Sequence, residues 1–200
     1  NSPLPVGNKF HGSKHSENCG FAMSTAGDVN FDGFDDVLIG APGASVMNRP
    51  AAGAVYLVFG DSVVWPGAKA SAFLSASQGI KIYGAVSGDR LGTFVDCSGD
   101  FNGDLRFDWI IGAPGASSAF CAGCGAVYIL FSSPAFEAIG FIAEIDLAYI
   151  FSASVVEGIV IRGPSASGAI GSKGAAITDV NGDGYADVAI AAQHASVEDR

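Results

Sequence analysis

Three short stretches of the chain carry oxygen-bearing side chains at a spacing suited to a hard cation. They are Asp28, Asn30, Asp32 and Asp36; Asp100, Asn102, Asp104 and Asp108; and Asp179, Asn181, Asp183 and Asp187. Each reads D-x-N-x-D with a further aspartate at the ninth position. Ca²⁺ takes six to eight oxygens at about 2.3 to 2.6 Å, and alternate residues of a tight loop turn their side chains to one side. The backbone carbonyls of Phe34, Arg106 and Tyr185 are the expected fifth contributors. An all-protein oxygen cage suits Ca²⁺ better than the smaller, more strongly hydrated Mg²⁺. The expectation is up to three Ca²⁺ ions, one per loop. Aspartate and asparagine also cap turns without any metal, and that reading stands beside the first.

The same opening spacing begins an EF-hand, which requires a bidentate Glu at position 12 and flanking helices. Position 12 is Ile39, Ile111 and Ile190, each inside a β-rich run, so the EF-hand fails in all three places. Position 6 holds Gly33 and Gly184 but Leu105 in the second loop. A leucine in the left-handed region is strained by about 1 to 2 kcal/mol unless the turn shifts onto Gly103, so the second loop is expected to be the weakest.

Ten of the 20 acids lie in these loops, and the chain carries a formal net charge of −10. Three doubly charged ions would bring −10 to −4. Such a balance repels phosphate backbones and anionic lipid heads, so nucleic acid is not an expected partner. The most apolar window, residues 135–156, contains Glu137, Glu144 and Asp146, each costing about 2.5 to 3.5 kcal/mol near a bilayer centre, and no membrane insertion is expected there.

Other chemistry is thin. There is no nucleophile elbow, zinc-protease signature, phosphate-binding loop or dinucleotide fingerprint, and no catalytic residue is assigned. His11 and His15 read as a solvated pair on an outer strand, and Trp109, where the other repeats have Val37 and Val188, reads as core. Cys121 and Cys124 share one Gly-rich loop and are expected to form a local disulfide, while Cys19 and Cys97 read as small core residues.

The elements that must hold these loops come from an internal repeat. GDVNFDGFDDVLIGAPG from Gly27, GDFNGDLRFDWIIGAPG from Gly99 and TDVNGDGYADVAIAAQH from Thr178 align without a slip. Eight residues before the first aspartate of each loop stand Gly20, Gly92 and Gly171, and eight further back Gly12, Gly84 and Gly163. GAVYLVF and GAVYILF follow the first two runs at equal distance. Only the connection after them differs, by seven residues, which takes the period from 72 to 79. A constant frame with one elastic connection marks a stacked supersecondary unit.

The unit is β. Its runs are rich in β-branched and aromatic residues and are bounded by Gly, Pro and Asn. GIKIYG and GIVIRG alternate apolar with polar and suit an outer strand with one solvated face. With 49% hydrophobic and 15% charged residues the chain has ample material for a packed core. The fold class is all-β: β-propeller blades of about four antiparallel strands each.

Gly20-Phe21, the loop 28–36 and Gly40-Ala41-Pro42, with the second set 100–108 and Gly112-Ala113-Pro114, resemble the FG-GAP repeats of the integrin α-subunit-like calcium-binding β-propeller family. The resemblance covers nearly the whole chain. The third unit departs from it, with Ala191-Ala192-Gln193 where Gly-Ala-Pro would stand. The expected division is an outer strand of a preceding blade at 1–12, blades at 13–84 and 85–163, and a partial blade at 164–200. Two full units and two fragments do not close a ring, so an incomplete propeller or a fragment of a larger one is expected.

The resemblance implies an extracellular or cell-surface structural and adhesion module, with other proteins or further blades as partners and no catalysis of its own. The connections 61–78 and 132–157 are the expected partner-specific surface. The alternative is the accessory propeller of a secreted, phospholipase D-like hydrolase whose catalytic domain lies outside this chain. Glycan binding at a loop-borne calcium is a third and weaker option.

Overall fold

The computed structural model describes residues 8–62, 68–71, 74–132, 144–150 and 156–195. Strand β1 (Lys9–His11) leads, through a 3₁₀ turn at His15–Glu17, into β2 (Ala22–Gly27), β3 (Asp36–Ala41) and β4 (Ala54–Val58). Then come β5 (Ala68–Ala70), β6 (Gly79–Tyr83), β7 (Phe94–Gly99), β8 (Asp108–Ala113), β9 (Ala126–Leu130), β10 (Glu144–Asp146), β11 (Gly158–Arg162), β12 (Ile170–Ile177) and β13 (Asp187–Ala192). Strands β2, β3, β4 and β6 make one antiparallel meander, β7, β8, β9 and β11 a second, and β12 with β13 the start of a third. The all-β expectation of four-stranded propeller blades holds.

Burial follows position in the sheet. The third strands β4 and β9, AVYLV and AVYIL, are buried at every residue because neighbouring strands flank both edges and neighbouring layers cover both faces. The largest cluster spans the first two units, joining Leu38, Leu57 and Ile80 to Val95, Trp109 and Tyr128. Trp109 is fully buried, as expected, although the valines aligned with it are not: Val37 is exposed and Val188 partly buried. Completely burying one such side chain stabilises by roughly 1.5 to 3 kcal/mol, so this shared cluster is what welds one blade to the next.

Two glycines of the repeat meet across each junction. A methyl group built on Gly40 would overlap the carbonyl oxygen of Gly92, and one built on Gly112 would overlap that of Gly171. The first glycine of the GAP triplet is therefore demanded by the backbone of the next unit and not by its own turn. Ala191 stands at this place in the third unit. Asp96 adds a polar stitch that the repeat alone does not reveal: it accepts hydrogen bonds from the Ala176 amide of the third unit at 2.8 Å and the Ser24 hydroxyl of the first at 3.4 Å.

The elastic connections carry a feature that their sequence does not announce. From the connection 61–78, β5 pairs in parallel with β1, and from 132–157, β10 pairs in parallel with β6. The second unit thus lends a fifth strand to the outer edge of the first, and the first unit lends β5 to the strand ahead of it. The expectation that both connections are free partner surface is corrected for these segments; residues 63–67, 72–73, 133–143 and 151–155 lie outside the described residues. The alternation read from GIKIYG is seen: Ile80 and Ile82 are wholly buried on one face, while Lys81 and Tyr83 on the other are partly exposed.

The local disulfide is also corrected. All four cysteines are free, and the buried Cys124 thiol donates to the Cys121 carbonyl at 3.3 Å. Cys97 is core, as expected, while Cys19 is half-buried.

Candidate functional site

Each acidic loop joins the first and second strands of its unit, so the three stand at one end of successive sheets. In the first two units the register shifts by a residue as the first strand enters the loop, between Thr25 and Gly27 and between Asp96 and Gly99. Such a bulge bends the strand and re-aims the loop beyond it.

Inside the loops the side chains fold onto their own backbone. Asp28 accepts the amides of Asp32 and Gly33, Asn30 that of Asp32, and Asp32 that of Phe34, while the Asn30 amide donates to the Asp32 carboxylate at 2.8 Å. The second loop repeats the pattern. Asp100 accepts from Gly103 and Leu105, Asn102 from Asp104, and Asp104 from Arg106. The third does so with Asp179, Asn181 and Asp183 as acceptors. Bonds from Gly184 and Gly182 hold the Asp179 carboxyl below the usual carboxylate range.

The ninth-position aspartate has a different role. Asp36 is fully buried and bridges the loop to the end of the third strand, accepting from Val29 at 2.9 Å and Gly60 at 2.8 Å. Asp108 does the same with Phe101 and Ser132. Burial pushes each carboxyl up to about 6, against the lowering effect of these amide bonds and with the loop's other aspartates repelling. In the third loop Asp187 accepts from Val180 at 2.9 Å and is half-exposed.

Every loop turns left-handed twice. The pairs are Phe31 (φ 58°) with Gly33 (φ 91°), Gly103 (φ 80°) with Leu105 (φ 68°), and Gly182 (φ 78°) with Gly184 (φ 92°). Leu105 is strained even though Gly103 also turns, because the loop needs both positions. Phe31 is the equal exception in the first loop, and nothing in the sequence marks it because position 4 has no fixed residue. Strain therefore does not single out the second loop: the first and second each hold one side chain in the left-handed region, and the third holds none.

The loops touch in a row. Ala186 donates its amide to the Asp100 carbonyl at 2.9 Å, a methyl on Gly103 would collide with the Tyr185 ring, and one on Gly27 would press on Phe107. Between the first two loops lies a cleft of about 250 Å³ walled by Phe31, Leu105 and Phe107, with the Arg106 guanidinium 4.6 Å from the centre of the Phe31 ring. Phe31, Leu105 and Phe107 are all exposed.

The donor chemistry fits a hard cation: each loop offers carboxylate, amide and carbonyl oxygens and no softer group. An N–H bond leaves a carboxylate oxygen with acceptor capacity to spare. The side chains are nevertheless drawn in by the loop amides, and among the described residues no group of three or more His, Cys, Asp or Glu side chains gathers around one point.

Comparison with known proteins places the repeat. A family model described as FG-GAP repeat matches residues 20–58 and 171–199. The chain is 38% identical over 114 residues to the phosphatidylinositol-glycan-specific phospholipase D of Bos taurus, an alignment covering 57% of this chain and 13% of that protein. With the same-named protein of Dictyostelium discoideum it shares 32% identity over 177 residues, 84% of this chain and 17% of the relative. With the integrin alpha-E of Mus musculus it shares 37% over 97 residues, 47% of this chain and 8% of the relative. The chain thus spans less than a fifth of the length of each of these relatives. The recurring strands and the acidic loop between the first two of them are those of FG-GAP repeats, which this chain carries and through which it is similar to these relatives.

Proposed function

We propose that this chain is an extracellular or cell-surface structural and adhesion module whose blades are braced by Ca²⁺. The observation that carries the reading is the row of three touching loops, each with the same all-oxygen donor set and a similar set of internal hydrogen bonds. The residues that would hold an ion are Asp28, Asn30, Asp32, Asp36 and the Phe34 carbonyl. Their counterparts are Asp100, Asn102, Asp104, Asp108 and the Arg106 carbonyl, and Asp179, Asn181, Asp183, Asp187 and the Tyr185 carbonyl. A bound cation would offset the repulsion of three or four carboxylates within nine residues.

Asp36 and Asp108 connect each loop to the far end of the third strand, so a firmer loop means a firmer blade. The blades divide at residues 12, 84 and 163 in this reading. The exposed apolar rim of Phe31, Leu105 and Phe107 supplies contact surface for a partner protein, and among the described residues no helix is long and apolar enough to cross a membrane. Calorimetric titration with CaCl₂ and thermal melts with and without EDTA test the proposal. Heat of binding and a melt lowered by chelation are expected; identical melts would sink it.

A second reading is favoured by the alignments to phosphatidylinositol-glycan-specific phospholipase D of two organisms: the blades serve as an accessory propeller beside a catalytic domain. The sequence of the complete parent protein separates the two, by continuing in repeats or by opening into a domain of another kind.

A further inference from the structure

The fifth strands obey one rule. Both come from the connection between the third and fourth strands of a unit, and both run parallel to the strand that stands just ahead of that unit: β1 ahead of the first, and β6, the first unit's outer strand, ahead of the second. For β10 the attachment is detailed. Ile145 and Leu147 are buried, the Leu147 amide donates to the Tyr83 carbonyl at 3.0 Å, and Glu144 accepts from the Tyr83 hydroxyl at 3.0 Å and from Lys81 at 3.4 Å. Asp146 is gripped by both terminal nitrogens of Arg49, at 2.9 and 2.7 Å.

Strand β11 is the counterpart of β6 one unit on, and among the described residues nothing pairs with its outer edge. Ile80 of β6 is buried in the cluster shared with the second unit, whereas its counterpart in β11, Ile159, is 48% exposed; that contrast reflects cover of the sheet face, since β10 pairs only with Lys81–Tyr83. An unpaired strand edge is a template for strand addition.

We propose that the outer edge of β11 is a docking site for a parallel three-residue strand supplied by the third-to-fourth-strand connection of a following repeat of the same protein. Its chemistry is set by the host. The central residue is apolar, as Ile145 is, and the first is acidic, because Arg162 occupies the place of Tyr83, which Glu144 reaches. The occupant is argued from the two junctions already filled, which use the same connection and the same direction. Two copies pairing edge to edge through β11 is the competing arrangement.

The test uses a chain in which residues 115–163 follow Gln193 a second time, completing the third unit with the second unit's third strand, connection and fourth strand. Hydrogen–deuterium exchange of the amides of Gly158–Arg162 is the readout. Exchange about tenfold slower or more than in the unaltered chain is expected, with the protection removed by Ile145→Pro in the appended copy alone. Protected appended strands with unchanged exchange at Gly158–Arg162 would overturn the proposal, as would protection that grows with protein concentration. In the unaltered chain, Ile145→Pro must accelerate exchange in β6. If β6 keeps its protection there, the edge needs no guest and the proposal falls even where the extended chain does not fold.

Discussion

In the first acidic loop the left-handed positions are Phe31 and Gly33; in the second they are Gly103 and Leu105. The hydrogen bonds are otherwise alike, except that the first aspartate accepts from the amides four and five residues on in the first loop and three and five residues on in the second. The pair of left-handed turns is therefore imposed by the ring of side-chain-to-backbone bonds, and a residue with a Cβ is held there at a cost of about 1 to 2 kcal/mol. Glycine relieves one turn in each of these loops and both turns in the third, through Gly182 and Gly184. What distinguishes the loops is where the strain sits and what the strained side chain gains in return. Phe31 gains a guanidinium over its ring, whereas Leu105 is 94% exposed.

The largest effect expected concerns the ninth-position aspartates, measured in calcium-free buffer so that only the protein's own bonds are compared. Asp36→Ala strips a buried acceptor from two amides and should cost about 2 to 5 kcal/mol in chemical denaturation, since an unsatisfied buried donor costs about 1 to 3 kcal/mol. Asp187→Ala, with one amide at a half-exposed site, should cost about 0.5 to 1.5 kcal/mol. Equal losses at the two positions would contradict the bridging role assigned to Asp36.

Next comes Gly184→Leu, which places in the third loop the strain that the second already carries. A loss of about 1 kcal/mol is expected, the strain being partly offset by the lower chain entropy of leucine when unfolded. Leu105→Gly is the reverse experiment at a side chain with almost no packing to lose, and it should raise stability by about 0.5 to 1 kcal/mol. Phe31→Gly relieves the same strain but forfeits the Arg106 contact, worth about 0.5 to 1 kcal/mol, so its net change should be near zero. Should Phe31→Gly stabilise as much as Leu105→Gly, the cation–π contact contributes nothing.

Much of the blade was legible in the residues. The runs DDVLIGAP and GAVYLVF and their counterparts announce strands because β-branched and aromatic residues between turn formers suit a pleated, covered surface. The loops announce themselves through alternate oxygen donors. The second left-handed turn was hidden because a phenylalanine, and not a glycine, occupies it in the first loop. The fifth strands were hidden because β5 and β10 are three residues long, too short to show alternation, and lie in the one segment whose length varies. Asp96 gave no signal as a lone acid in an apolar strand, where the other units have Ser24 and Ala175.

The sequence by itself determined the repeat, its strands and the donor set of each loop, since these depend on neighbours a few residues away and recur at constant offsets. Tertiary structure alone decided that Gly40 and Gly112 serve the next blade, that Cys121 and Cys124 stay unbridged, and that a short segment lies along β6 while nothing among the described residues pairs with the outer edge of β11. A three-residue strand has no stability of its own. Whether it forms is settled by the edge it meets, by a buried place for Ile145, and by an arginine nearly a hundred residues earlier in the chain that closes on Asp146.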